Sequence, residues 1–158
     1  MYSLWFQKHG MTQPSLRDRP QLDRDGVNAL LQRAFPMASP EDLALAHEVG
    51  PGRVLVIRRY PGDGALRPGG VLAGPNLMAI ADTAAYALIL AHVGDQLMAV
   101  TSSLTMNFLR GAKPGDIHAE ATMLRLGRRI AVCDVKIWTE SADRLAAQAT
   151  VTYAIPSA

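Results

Sequence analysis

The chain has 158 residues, of which 49% are hydrophobic and 19% charged. That is the size and composition of one globular domain, which excludes both a disordered chain and a second catalytic domain. A single cysteine, Cys133, excludes an internal disulfide, four scattered histidines show no zinc-ligand spacing, and a net charge of +2 is no basic stripe for nucleic acid.

Taken in chain order, residues 1–24 mix Trp5 and Phe6 with charged side chains and lack the apolar core of a secretory signal. They are expected to be a leader outside a single domain spanning 25–158, in a reducing cytosol. Met11 offers an alternative start, so Met1 to Gly10 is expected to carry no function. Eight of the ten prolines precede Asn76, so regular structure should concentrate after Gly74. Val27, Leu30, Leu31 and Ala34 predict an amphipathic helix over about 25–35, ended by Pro36. Leu43, Leu45, His47 and Val49 alternate with Ala44, Ala46 and Glu48, and Gly50-Pro51-Gly52 turns into the run Arg53 to Tyr60, which reads as a hairpin. Pro75 suits a first helical turn and Gly94 a left-handed stop, so a helix is expected over about 75–92. It is apolar on nearly every side, as a helix enclosed by protein would be. A membrane span fails, because the apolar run Leu77 to Ala91 is short and holds Asp82. Four alternating segments follow: 97–110, with Met98, Val100, Ser102, Leu104, Met106 and Phe108 on one face, then 116–126, 130–138 and 145–155. The joints Lys113-Pro114-Gly115, Gly127-Arg128 and Ser141-Ala142-Asp143 have hairpin length, so consecutive strands are expected to be neighbours. The sum is an α+β fold, a sheet wrapped around one long helix.

Asp82 is the one acid between Gly64 and Gly94. Withdrawing a carboxylate from water is costly without partners, so it is either retained for chemistry or faces a solvent groove. Enclosed among alanines and leucines, as this reading has it, its replacement by asparagine should leave stability unchanged or slightly higher. Gly69, Gly70 and Gly74 lead into a helix N-terminus, whose free N–H groups would stabilise a carbonyl oxygen that gains charge; a simple helix cap reads the same way. Pro75-Asn76 stands where a phosphate loop needs Lys-Ser/Thr, which excludes that motif. His47 falls in a strand, His92 at a helix end that favours an imidazolium, and His118 on a polar strand face; none has a carboxylate partner in sequence. Cys133 reads as a packed thiol, and Met98 and Met106 as core. Arg128 and Arg129 form a charged hairpin turn, which also suits a nucleotide phosphate.

The order of these elements, with Ala81-Asp82-Thr83 on the helix, then Val100-Thr101, Asn107-Phe108-Leu109-Arg110, Pro114-Gly115-Asp116 and Leu126-Gly127-Arg128, resembles the hotdog-fold acyl-CoA thioesterases of the phenylacetate-degradation type over about 42–156. The resemblance implies a curved antiparallel sheet around a central helix, dimers joined edge to edge and often paired into tetramers, and an active site between subunits. It implies Asp82 as nucleophile or general base, Thr101 as the hydroxyl that orients water and carboxylate, and Gly74 as the amide that binds the thioester oxygen. Most members carry His-Gly-Gly at the loop-to-helix junction; this chain has Ala73-Gly74-Pro75, and the family's asparagine falls at about Arg67. The missing histidine argues against the hotdog dehydratases.

The expected function is hydrolysis of an acyl-CoA or related thioester by a homo-oligomer, without metal or redox cofactor and without nucleic acid or membrane as partner. Coenzyme A enters as part of the substrate, with Arg67, Gly69, Gly70, Arg110, Arg128 and Arg129 as candidate binding residues. The alternative is a non-catalytic hotdog protein that binds an acyl-CoA as sensor or carrier.

Overall fold

The computed structural model describes residues 19–157. Helix α1 (Arg24–Ala34) begins where the Asp23 carboxylate accepts the Gly26 N–H at 2.9 Å, and it buries Val27, Leu30 and Leu31. The packed unit starts upstream of position 25: the Gln21 and Leu22 N–H groups donate to the Ala91 carbonyl at 2.7 and 3.1 Å, and Leu22 packs on the core. The rest of the expected leader, 1–18, lies outside the described residues.

Strands β1 (Leu45–Gly50) and β2 (Arg53–Arg58) form the expected hairpin. Its inward side chains near the start are Ala44 and Ala46 rather than the leucines, because a bulge between Ala46 and Glu48 resets the alternation and turns Val49 inward. A 3-10 turn (Asp63–Ala65) and the two-residue strands β3 (Leu66–Arg67) and β4 (Val71–Leu72) lead to the central helix α2 (Gly74–Val93). Then come β5 (Val100–Phe108), β6 (Ile117–Leu126), β7 (Ile130–Trp138) and β8 (Ala147–Ala154).

Six strands make one antiparallel sheet in the order β1-β2-β6-β7-β8-β5, curved about α2. The β6–β7 and β7–β8 joints are hairpins as expected. The β5–β6 joint is not: β5 pairs with β8 at the far edge. Residues 109–116 instead cross over the β3–β4 hairpin, where the Ala112 carbonyl accepts the Leu72 N–H at 2.8 Å. Lys113-Pro114-Gly115 signals a change of direction, but a turn sequence does not specify which strand lies beside the next one.

The core is built from small residues. Ala81, Ala84, Ala85 and Ala87 of α2, and Ala119, Ala121, Ala131, Ala147 and Ala149 of the strands, are all fully buried. Short side chains on both surfaces let helix and sheet approach closely at interior packing density. Although α2 is 20 residues long with a mean hydropathy of 1.4 in its most apolar stretch, 67% of that stretch is buried inside the protein, as befits a core helix. Its N-terminal half nevertheless presents a stripe outward: Pro75, Met78 and Ala79 are exposed, and Asp82 and Thr83 are half-buried. Spacings of three and four put these on one helix face.

The two sheet edges differ. Asn28 of α1 covers β1, donating to the Ala46 carbonyl at 2.9 Å and accepting the Ala46 N–H at 2.8 Å. The outer edge of β5, nine residues long, is open in the single chain.

Candidate active site

Asp82 sits on the outward stripe of α2, so it is not enclosed as the sequence suggests. Its Oδ1 accepts from the Thr101 hydroxyl, and also from the Tyr153 hydroxyl at 2.8 Å. Oδ2 has no partner among the described residues, which leaves its lone pairs for water or substrate. Burial pushes the Tyr153 phenol far above its ordinary range and the Asp82 charge adds to the push, so it stays protonated and remains a donor.

Thr101 reaches Asp82 because of a backbone irregularity. Strict alternation would set Thr101 on the face opposite Leu104, Met106 and Phe108. A bulge between Thr101 and Ser103 breaks the alternation, so Thr101 lies opposite Tyr153 on the inner side while Leu104 still faces Val151. Met98 lies in the turn before β5, not in the strand, and is 76% exposed, whereas Met106 packs against the core. Tyr153 itself is held by Tyr86, stacked on it with ring centroids 5.8 Å apart, and Tyr86 donates to the Leu97 carbonyl at 2.9 Å. Phe35 meets Tyr86 edge-on at 6.1 Å. These groups line a cavity of about 410 Å³ together with Arg33, Met98 and Val100.

Gly74 is elsewhere. It opens α2, so its N–H has no acceptor within the helix. A methyl group there would come within 3.1 Å of the Phe108 ring. It shares a second cavity, about 340 Å³, with Arg67, Val71, Phe108 and Arg110. Eight residues of helix separate Gly74 from Asp82, about 12 Å along the axis. One chain therefore cannot bring both groups to a single carbonyl. Pro75, next in sequence, has no N–H to serve as a second donor.

Gly69 and Gly70 do not belong to the helix N-terminus. They close the β3–β4 hairpin after Pro68, with φ of 96° and 70°, and the Gly70 N–H donates to the Arg67 carbonyl at 3.1 Å. Arg128 and Arg129 lie on the β6–β7 turn and line a third cavity, about 710 Å³, with Gln21, His92, Gln96 and Ile155. His92 is ten residues past Asp82, about 15 Å along α2. Both ring nitrogens are engaged by the fold: Nε2 accepts the Gly52 N–H at 3.0 Å and Nδ1 lies 2.8 Å from the Leu88 carbonyl. His47 is exposed at the β1 bulge, and His118 stacks on Trp138 at 5.6 Å. Cys133 is fully buried and its thiol is pushed up to about 12, the behaviour of a packed side chain. No group of three or more His, Cys, Asp or Glu is placed to hold a metal among the described residues.

Tyr153 is the site residue that sequence reasoning missed. Its place on the inward face of β8 was readable, and a buried phenol needs a hydrogen-bond partner. Asp82 was the one carboxylate in the facing helix.

A long helix held in a curved antiparallel sheet, with a lone acid on the helix and a hydroxyl from the first strand after it, is the hotdog arrangement. Residues 69–153 match the family model of the Thioesterase superfamily, and the chain belongs to that family. A protein of Silicibacter sp. TM1040 assigned as a thioesterase is 33% identical, with 89% of this chain and 96% of that one covered and a TM-score of 0.76. A mutant of the phenylacetic acid degradation protein PaaI from Thermus thermophilus is 25% identical over 72% of this chain and 93% of its own, with a TM-score of 0.61. Zebrafish thioesterase superfamily member 2, 19% identical over 86% and 100% with a TM-score of 0.71, shares the fold. No curated protein matches the chain in sequence.

Proposed function

We propose that this chain hydrolyses an acyl-CoA thioester to the free acid and coenzyme A, at a site completed by two copies. The observation that carries the reading is the held carboxylate: two hydroxyls fix Asp82 Oδ1 and leave Oδ2 unpartnered. That oxygen either attacks the thioester carbonyl, expelling the thiolate and leaving a mixed anhydride for water to open, or takes a proton from the water that attacks. The Gly74 N–H of the second copy stabilises the oxyanion.

Two features support the second copy. The β5 edge is open while the β1 edge is covered, and pairing β5 with its own twofold mate satisfies that edge. The outward stripe of α2 has Met78 midway between Gly74 and Asp82. An antiparallel crossing there sets Gly74 of one copy beside Asp82 of the other. The nucleotide phosphates are assigned to Arg128 and Arg129, or to Arg110 and Arg67 beside Gly74, with the pantetheine arm spanning to Asp82.

Mixing an Asp82→Asn chain with a Gly74→Val chain tests this. Each is expected to be inactive alone, the valine because its side chain crowds the Phe108 ring and covers the amide, and random mixed dimers hold one intact site, so thiol release returns to about a quarter of wild type. No recovery in a sample shown by sedimentation to contain mixed dimers refutes the shared site. A specific observation keeps a second reading, the sensor or carrier: Pro75 removes the second N–H donor of the oxyanion site. Tight acyl-CoA binding by a wild type that releases no thiol from any thioester favours it.

A further inference from the structure

Arg58, the last residue of β2, occupies a position that the sheet reserves for apolar side chains. Val54, Val56 and Arg58 share the inward face, opposite Ala121, Ala119 and Ile117 of β6, and those five neighbours are fully buried. Arg58 lines a cavity of about 190 Å³ with Phe35, Asp42, Ala44, Ala79 and Thr83. Its Nε is buried without a hydrogen-bond partner. Among the described residues no carboxylate pairs with it; Asp42, at the cavity mouth, is exposed and accepts from the Ser39 hydroxyl at 2.7 Å. Arg58 as a whole is half-buried, so the cost falls on the buried Nε–H, and a ligand carboxylate that accepts from it relieves that cost.

The cavity adjoins the candidate site. Ala79 and Thr83 flank Asp82 on the same helix face, and Phe35 lines both this space and the one that holds Asp82. Phe35 is thus common to the space around the Asp82 carboxylate and the space around Arg58.

We propose that Arg58 selects the acyl group, and that the substrates are thioesters whose acyl chain ends in a second carboxylate. This rests on the thioester-hydrolysis reading above. With the thioester carbonyl at Asp82, the acyl chain passes Phe35 along Ala79 and Thr83, and its terminal carboxylate meets the guanidinium fork. An uncharged chain of equal length leaves Arg58 unpaired, so discrimination comes from the loss as much as from the gain.

The test compares succinyl-, glutaryl- and adipyl-CoA with butyryl-, valeryl- and hexanoyl-CoA in the wild type, Arg58→Met and Arg58→Lys, with a melting temperature for each protein. At least one carboxylate-ended substrate should exceed its uncharged partner by about tenfold or more in kcat/KM. Arg58→Met should abolish that ratio and Arg58→Lys keep part of it; if the methionine variant does not fold, the lysine variant and Arg58→Gln carry the comparison. The same ratio should appear in equilibrium binding to Asp82→Asn. A wild type that prefers the uncharged member at all three lengths, or a preference that survives Arg58→Met, overturns the inference and leaves the thioesterase reading intact. If the wild type turns over no thioester, the thioesterase reading fails, and the binding ratio on Asp82→Asn decides for or against the arginine: tighter binding of carboxylate-ended esters upholds it, equal binding overturns it.

Discussion

Replacing Asp82 by asparagine separates what the carboxylate does for the fold from what it does for the chemistry. The amide oxygen can still accept from Thr101 and Tyr153, but both hydrogen bonds lose their charge assistance. A hydrogen bond to a charged group contributes about 1.5–3 kcal/mol and a neutral one about 0.5–1.5 kcal/mol, so the pair loses about 2 kcal/mol. Relief from holding a half-buried carboxylate offsets part of this. A net loss of about 1 kcal/mol lowers the melting temperature by roughly 2–4 °C in a domain of this size. The sign is the reverse of the sequence expectation, which weighed the cost of enclosing the acid and not the hydrogen bonds that hold it. Asp82→Ala removes the side-chain acceptor and leaves the Tyr153 hydroxyl only its longer bond to the backbone carbonyl of position 82, at 3.3 Å, for a further loss of about 1 kcal/mol. Turnover should fall at least about 100-fold in both variants, because either change removes the base or nucleophile. Thermal melts and thiol release on the three proteins provide the check. An asparagine variant that melts as low as the alanine one refutes the hydrogen-bond reasoning, and one that keeps more than about a tenth of the turnover refutes the chemical role.

Changing Arg128 and Arg129 together to alanine should raise KM for an acyl-CoA more than for a short thioester without the nucleotide; equal effects would return the turn to a solvated hairpin. The Tyr153 phenol is raised in the fold above its ordinary 10.0, so its contribution to stability is full below pH 10 and declines as pH rises above that value, where the unfolded phenol ionises first. The alkaline fall in melting temperature should accordingly be shallower in Tyr153→Phe than in the wild type, and identical slopes would refute the assignment.

Long periodic elements were legible in the sequence. The α2 limits are right within a residue or two, because Pro75 and Gly94 act through local backbone sterics that need no tertiary context. Strands β7 and β8, and β6 as far as Met123, follow uninterrupted alternation, and their inward faces are the expected ones; a register shift between Met123 and Arg125 ends the pattern in β6. The failures occur where the period slips or the partner is distant. The bulge in β1 turned Ala44 and Ala46 inward in place of Leu43 and Leu45, and the one in β5 moved Thr101 relative to Leu104. No run of side chains announces an unpaired residue. The crossover after β5 depends on β8, which follows it by some forty residues in sequence. Of the candidate site, Asp82 and Thr101 come together, whereas Gly74, Arg67 and Arg110 form one separate group and Arg128 and Arg129 another. Arg58 drew no notice because an arginine at the end of a strand ordinarily faces water.

The bulge in β5 has a bearing on how relatives of this chain should be read. Whether the Thr101 hydroxyl meets Asp82 is decided by a count of residues and not by the residue itself: the spare position at Ser102 sets the phase of everything before it. A relative could keep threonine, aspartate and tyrosine and still lack the assembled trio if it were one residue shorter between Thr101 and Leu104. Another could lose the threonine and regain a hydroxyl from an adjacent position by shifting its bulge. Within this family, a one-residue gap in that segment is therefore a better guide to a changed site than a substitution at Thr101.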